Sequence, residues 1–258
     1  MSGSAITFDF HNTLATCDRW FDLEVHELVP AFLRWKSQDG VLAVDPGLEI
    51  AARITYRALR QEVIKHGEEM SAEEGLAHAL GELNVMADKE EIAEGVEILM
   101  RDCLADVRPV PGAVETVREL AASGVPLGVV SSAVHHPFVD WAVQHIGLDA
   151  AFGSITTSAS AGFYKSRPEI YAVALGALGA TAERSVHVGD SFRFDVQGAR
   201  RAGMKTAWYQ GQQPVTPGEP ADLILPSLHG AAGPLLSLLD ATNETVGLAH
   251  PPSSAGVG

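Results

Sequence analysis

The sequence predicts an α/β protein, a doubly wound and mostly parallel sheet with an α-helical bundle inserted after its first strand. Three observations predict this. A short apolar strand lies in "AITFDFHNTL" near the start, residues 18–108 carry helical periodicity alone, and from Val110 onward strand and helix patterns alternate. The boundaries follow as a core of residues 1–17 and 109–243, a helical insert of 18–108, and a tail of 244–258.

The first strand is read from Ile6 and Phe8 alternating with Thr7, with Phe10 continuing the apolar run. It ends at Asp9, a carboxylate that is costly there unless something uses it. In the insert, "DRWFDLEVHELVPAFLRWKS" places Phe21, Leu28, Phe32 and Trp35 at helical spacings, with Pro30 as an expected kink or break. "GLEIAARITYRALRQEVIKHG" repeats the periodicity and stops at Gly67. Ser71 with Glu74, and Asp88 with Glu91, read as capping boxes that start two further helices.

After Val110 the helices are "PGAVETVRELAASG", "HPFVDWAVQHIG", "RPEIYAVALGALG", "RFDVQGARRAG" and "HGAAGPLLSLLD". The strands between them are "VPLGVVSS", "AFGSITTS", "RSVHVGDS", "TAWYQ" and "ADLILPS". Such alternation predicts parallel strands covered on both faces. The final "NETVGLAHPPSSAGVG", rich in Gly, Pro, Ser and Ala, reads as a mobile tail.

A chain of 258 residues that is 46% hydrophobic can bury a large core. Its net charge of −15 sets the average field against nucleic acid and anionic membrane, so the expected partner is a small molecule and an anionic substrate needs a local positive site. No apolar run approaches the roughly 20 residues that span a bilayer, and the start of the chain has no signal-peptide pattern, so a cytoplasmic protein is expected. Cys17 and Cys103 are too few for a disulfide framework and read as small buried hydrophobes.

Ligands of parallel sheets bind outside the carboxyl ends of the strands. That rule selects Asp9, then Ser131 and Ser132, then Gly189, Asp190 and Ser191, with Lys165 in the loop after "GSITTS". Two carboxylates suit Mg²⁺, a hard cation that keeps substrate phosphate and water among its ligands. Lysine and hydroxyls suit the remaining phosphate oxygens.

These residues resemble the four motifs of the haloacid dehalogenase-like hydrolase superfamily, in order and across nearly the whole chain. Asp9-Phe10-His11-Asn12-Thr13 is similar to its Asp-x-Asp-x-Thr motif, and Ser131 to its strand-ending Ser or Thr. Lys165 before "SRPEIY" resembles the third motif, and Gly189-Asp190-Ser191 with Asp195 the fourth. The insert looks like the family's small α-helical cap, of the C1 type, over a Rossmann-like core.

The resemblance implies that Asp9 is a nucleophile forming an aspartyl-phosphate that water later hydrolyses. It implies Mg²⁺ held by Asp9, Asp190 and the backbone carbonyl of His11, with phosphoryl oxygens gripped by Thr13, Ser131, Ser132 and Lys165. Asp195 is expected to support the site by hydrogen bonding.

The family's phosphatases have an acid/base aspartate where this chain has His11, whose imidazole can do such work near neutral pH. The implied function is a Mg²⁺-dependent hydrolase of a small phosphorylated metabolite. Members that depart here also include phosphonate- and halide-cleaving enzymes, and a degenerate member would bind a phospho-ligand without turnover. For the phosphonate case Lys36, Lys65 and Lys89 are the available insert lysines. His135 and His136 read as surface residues. Arg19, Trp20, Trp35, Arg53, Tyr56 and Arg57 are candidates to line a substrate pocket, although aromatics at helical spacing are more often core.

Overall fold

A computed structural model describes residues 3–40, 42–211 and 221–249. Six parallel strands form one sheet. They are β1 (Ile6–Phe8), β4 (Leu127–Ser131), β5 (Ser154–Thr157), β6 (Val186–Gly189), β7 (Lys205–Tyr209) and β8 (Leu223–Leu225), in the order β5-β4-β1-β6-β7-β8. β1 is paired on both sides, Ile6 and Phe8 facing Leu127 and Val129 on one edge and Val186 and Val188 on the other. A strand so enclosed is wholly buried, which is why its apolar run continues through Phe10. The helices of the core are α6 (Ala113–Ala122), α7 (His136–His145), the one-turn α8 (Ser158–Ala161), α9 (Glu169–Ala177), α10 (Gln197–Arg201) and α11 (Ala232–Ala249).

A second, two-stranded sheet joins β2 (Ala15–Thr16) to β3 (Arg108–Pro109) antiparallel. This pair brackets the helical segment and was not legible in the sequence, because two-residue strands carry no period. Between its strands lie α1 (Asp18–Asp22), α2 (Leu28–Lys36), α3 (Pro46–His66), α4 (Ala72–Glu82) and α5 (Lys89–Asp102). Both capping boxes form as the sequence suggests. The Glu74 and Glu91 amides donate to Ser71 and Asp88 at 3.1 and 2.9 Å, and the two glutamates accept the cap amides in return.

The break expected at Pro30 falls earlier. Proline would clash with the carbonyl of residue 26 in a continuous helix, and the chain instead opens into a wide π turn over Leu23–Glu27. α2 then starts at Leu28 and holds Pro30 in its first turn, where no amide donor is needed. α11 also departs from expectation, since it continues to Ala249, into the stretch read as tail. The rest of that stretch, 250–258, lies outside the described residues.

One apolar core runs from the sheet into the helical segment. Trp20 of α1 stacks on Phe138 of α7 with ring centroids 4.8 Å apart and meets the edge of Phe10 at 5.9 Å. The turn between α3 and α4 is stitched to the core by the amides of Glu69 and Ala72, donating to the carbonyls of Gly162 and Val134, and by the Tyr164 amide donating to Gly67. Cys17 and Cys103 are buried free thiols, pushed up in pKa by burial. No helix among the described residues is long and apolar enough to cross a membrane.

Candidate active site

The backbone of Asp9 stays in the sheet, its amide donating to Val188 at 2.8 Å, while its side chain emerges where β1 ends. Ser131 ends β4 and Asp190 follows β6, so the flanking strands deliver their terminal groups to the same edge. Asn12 then turns the chain with φ 63°, in the left-handed region where asparagine is among the better tolerated residues. Its amide donates to Ala15 at 2.8 Å, closing the turn.

Lys165 is buried and donates to Asp9 Oδ1 and, at 2.6 Å, to Asp195 Oδ1. Asp195 accepts the Ser191 amide on Oδ2 at 2.8 Å and faces His187 Nε2 at 3.2 Å. An acceptor-only carboxylate assigns the proton to Nε2, so His187 Nδ1 accepts from the Thr7 hydroxyl at 2.8 Å. Two glycines allow this packing. A Cβ on Gly189 would lie 2.2 Å from Asp195 Cγ, and one on Gly198 would lie 2.6 Å from the Lys165 carbonyl oxygen.

Carboxylate oxygens of Asp9, Asp190 and Asp195 lie within 4.8 Å of one another. Burial would raise Asp195, but Lys165 and His187 outweigh it and hold the carboxyl at about 2. Burial pushes Asp9 up to about 6 against the pull of Lys165, and burial with the charges of Asp9 and Asp195 pushes Asp190 up to about 8. Lys165 stays charged, because its two carboxylates overcome the effect of burial. Three acids and one ammonium leave the cluster short of positive charge. Its donors are hard oxygens of the kind that fit a divalent cation, with Asp195 the most heavily bonded of the three, to Lys165, His187 and the Ser191 amide.

His11 stacks on Phe21, with centroids 4.7 Å apart and planes 8° off parallel, and meets Trp20 at 5.8 Å. Its Nε2 is buried, has no hydrogen-bond partner and lies 3.8 Å from Asp18 Oδ1. Burial lowers the imidazole to about 4, against the opposing effect of Asp18. Near pH 7 the ring is therefore neutral.

These groups open into a cavity of about 510 Å³ bordered by Asp9, His11, Ser131, Ser132, Lys165 and Asp190 on the sheet side and by Trp20, Phe21, Glu24, Val25, Arg60 and Ile64 on the helical side. A family profile described as haloacid dehalogenase-like hydrolase matches residues 4–203. The chain belongs to the haloacid dehalogenase-like hydrolases.

Relatives within this family include a glyceraldehyde 3-phosphate phosphatase of Pyrococcus abyssi, 24% identical over 80% of each chain. The human haloacid dehalogenase-like hydrolase domain-containing protein 3 is 32% identical over 55% of this chain and 58% of its own. Among solved structures, a 2-haloacid dehalogenase from Pseudomonas syringae superposes with a TM-score of 0.70 at 23% identity, over 92% of this chain and 99% of that one. A haloacid dehalogenase-like hydrolase from Bacillus subtilis, bound to magnesium, gives 0.58 at 18% identity over 91% and 99%. At these identities the structures show that the haloacid dehalogenase-like fold is shared.

Several sequence expectations shift. Thr13, expected on phosphate, is fully buried and donates to Asp9 Oδ2 at 3.2 Å. His135, expected at the surface, is buried and its Nδ1 lies 3.1 Å from Glu73 Oε1 of α4, while His136 is half-exposed and pairs with Asp140. Neither borders the cavity. Of the six insert candidates only Trp20 does. Tyr56 donates to the Glu24 carbonyl at 2.6 Å and Arg53 is taken by Glu27. Lys36 pairs with Glu91, Lys65 is exposed beside Glu62, and none of Lys36, Lys65 and Lys89 borders the cavity.

Phe21, placed at helical spacing with Leu28 and Phe32, is 44% exposed and forms cavity wall. Glu24, Arg60, Tyr164 and His187 escaped the sequence reading. The one available signal for His187 was a histidine inside the buried strand "VHVG".

Proposed function

We propose that this hydrolase is a Mg²⁺-dependent phosphatase of small phosphomonoesters that works through an aspartyl-phosphate on Asp9. The observation that carries the reading is the convergence of Asp9, Lys165 and Asp190 at one strand edge, with more buried negative charge than Lys165 balances. Relatives named glyceraldehyde 3-phosphate phosphatase support a short phosphorylated substrate.

Asp9, Asp190 and the His11 carbonyl would hold Mg²⁺, which supplies neutralising charge to a phosphoryl group approached by an anion. A carboxylate oxygen of Asp9 forms the bond to phosphorus as the ester P–O bond breaks, and the departing oxygen takes its proton from solvent water. Lys165 and Ser131 bind the phosphoryl oxygens where charge develops. Thr13 and Lys165 fix the two oxygens of Asp9 beforehand, so no reorientation precedes attack. Ser191, His187 and Thr7 position Lys165 through Asp195. In the second step water attacks phosphorus and the P–O bond to Asp9 breaks. His11, neutral near pH 7, can receive the water's proton but has none on offer for the first step. The helical segment acts as the cap that closes the reaction from solvent.

The test is phosphate release from a panel of sugar, nucleotide and short-chain phosphates. Turnover is expected with Mg²⁺, suppressed by chelator and lost in Asp9→Asn. Chelator-resistant halide release from 2-chloropropionate, with no phosphate release from the panel, would replace this reading with the dehalogenase one.

A further inference from the structure

The cavity has a wall, built wholly by the helical segment, that phosphoryl chemistry does not use. Glu24 comes from the π turn and is 2% exposed; Arg60 comes from α3 and is 4% exposed. Both border the cavity that Asp9 opens into. Arg60 Nη1 and Nη2 donate to Glu69 Oε1 and Oε2 at 2.6 and 3.0 Å, and Glu69 is itself held by the Ser158 hydroxyl at 2.9 Å. With that fork occupied, Arg60 Nε is left buried and without a hydrogen-bond partner, and Glu24 Oε2 is left in the same condition. Buried polar atoms are paired as a rule, and the cavity is bordered by five residues with an exception, His11 Nε2, Trp20 Nε1 and Ser132 Oγ besides these two; Glu24 Oε2 and Arg60 Nε are the pair on ionisable side chains of the helical wall, and they point to a ligand that pairs them.

We infer that Glu24 Oε2 and Arg60 Nε bind a hydroxyl group of the substrate's leaving group, and that the enzyme selects short, uncharged, hydroxyl-bearing alkyl phosphates. The inference rests on the phosphatase reading and adds its substrate class. A hydroxyl both donates and accepts, so one group can take the Arg60 N–H and pair with the Glu24 carboxyl in either protonation state. A bare alkyl chain would leave both atoms unpaired. A carboxylate on the leaving group would meet Glu24 and an arginine whose charge Glu69 already answers, and an ammonium would sit beside that arginine. Burial pushes the Glu24 carboxyl up to about 8 against the pull of Arg60, which favours an uncharged partner near neutral pH. Phe21, Val25 and Ile64 complete the wall with apolar surface.

The experiment compares kcat/KM for 3-hydroxypropyl phosphate and n-propyl phosphate, which differ by one hydroxyl, with Mg²⁺ and the full chain. A site built around a hydroxyl rejects the analogue lacking it, so a preference of about 100-fold or more is expected in the wild type. Glu24→Leu should bring that ratio within about threefold, since the paired atom is gone. Glu24→Met, checked for folding by circular dichroism, replaces it where the leucine variant does not fold. 2-Phosphoglycolate and phosphoethanolamine should be at least about tenfold poorer than the hydroxypropyl ester.

Equal wild-type rates on the matched pair, survival of the preference in a folded Glu24 variant, or a charged probe outperforming the hydroxyl one would each overturn the hydroxyl site. The wild-type ratio decides even where neither variant folds. p-Nitrophenyl phosphate separates the two levels. Its Mg²⁺-dependent hydrolysis alongside equal rates on the pair overturns the hydroxyl site alone, whereas no release from it or from any other probe overturns the phosphatase reading as well.

Discussion

Lys165 Nζ lies 2.6 Å from Asp195 Oδ1 while also donating to Asp9, so one buried ammonium spans two carboxylates, at the end of β1 and in the segment after β6. Asp195 is drawn down to about 2 in this arrangement while Asp190, pressed by burial and two neighbouring anions, rises to about 8. Carboxylates crowded into one site thus divide into one held ionised by its cationic and hydrogen-bonding neighbours and others that burial and like charge push up.

Removing the lysine exposes this imbalance. Lys165→Met leaves Asp9 and Asp195 buried without their ammonium and, on the proposed mechanism, removes a donor from the phosphoryl oxygens. Turnover should fall by about 10²–10³ or more, and the stability lost on breaking a buried pair should reach about 3–5 kcal/mol. Steady-state kinetics and urea melts with Mg²⁺ present check both. A variant within tenfold of wild-type turnover would show that Lys165 is dispensable for charge stabilisation.

Gly189 is required by Asp195 rather than by its own backbone. A Cβ there would fall 2.2 Å from Asp195 Cγ, in a region held on the other side by His187 and the Ser191 amide. Gly189→Ala should cost about 1–3 kcal/mol through overpacking and displace Asp195 from Lys165, lowering turnover with it. Unchanged melting and unchanged kcat together would contradict the contact.

Much of this site was legible because its residues sit at strand ends, and strand ends are readable from alternation followed by a polar group. Asp9, Ser131 and Asp190 were found in that way, and Ser71 and Asp88 announced their helices through glutamates three positions on. The helical wall was not legible. Helical periodicity reports burial, and Glu24 is as buried as a core leucine, so the pattern that marks a core position also hides a polar group facing an internal cavity. The π turn compounds this, because it rotates Leu23–Glu27 out of the phase set by Leu28 and Phe32. Phe21, counted with that stripe, therefore faces His11 instead of the core.

Thr13 separates two roles that the motif alone confounds. Its hydroxyl is buried and donates to Asp9 Oδ2 at 3.2 Å, away from the cavity wall. Thr13→Val should lower kcat by about tenfold with KM nearly unchanged, whereas loss of a phosphate contact would raise KM. Thr13→Ser should restore most of the rate. A KM effect in the valine variant, rescued by serine, would return Thr13 to the phosphate.

Glu24 gives a stability test that needs no substrate. Its carboxyl has an ordinary value of 4.5 and is pushed up to about 8 in the folded protein, chiefly by burial. The folded state therefore binds more protons than the unfolded chain between those values, and the stability this group contributes is present at low pH and lost as pH rises through about 8. Glu24→Gln keeps the shape and removes the titration. Its unfolding free energy from urea melts should gain on the wild type steadily from pH 5 to pH 8, by a difference on the order of a few kcal/mol at the upper end. The other acids of the site titrate in both proteins and cancel from the comparison. Parallel unfolding free energies across that range would mean that Glu24 is ionised in the folded protein at neutral pH, paired with Arg60 rather than kept as an uncharged wall of the cavity.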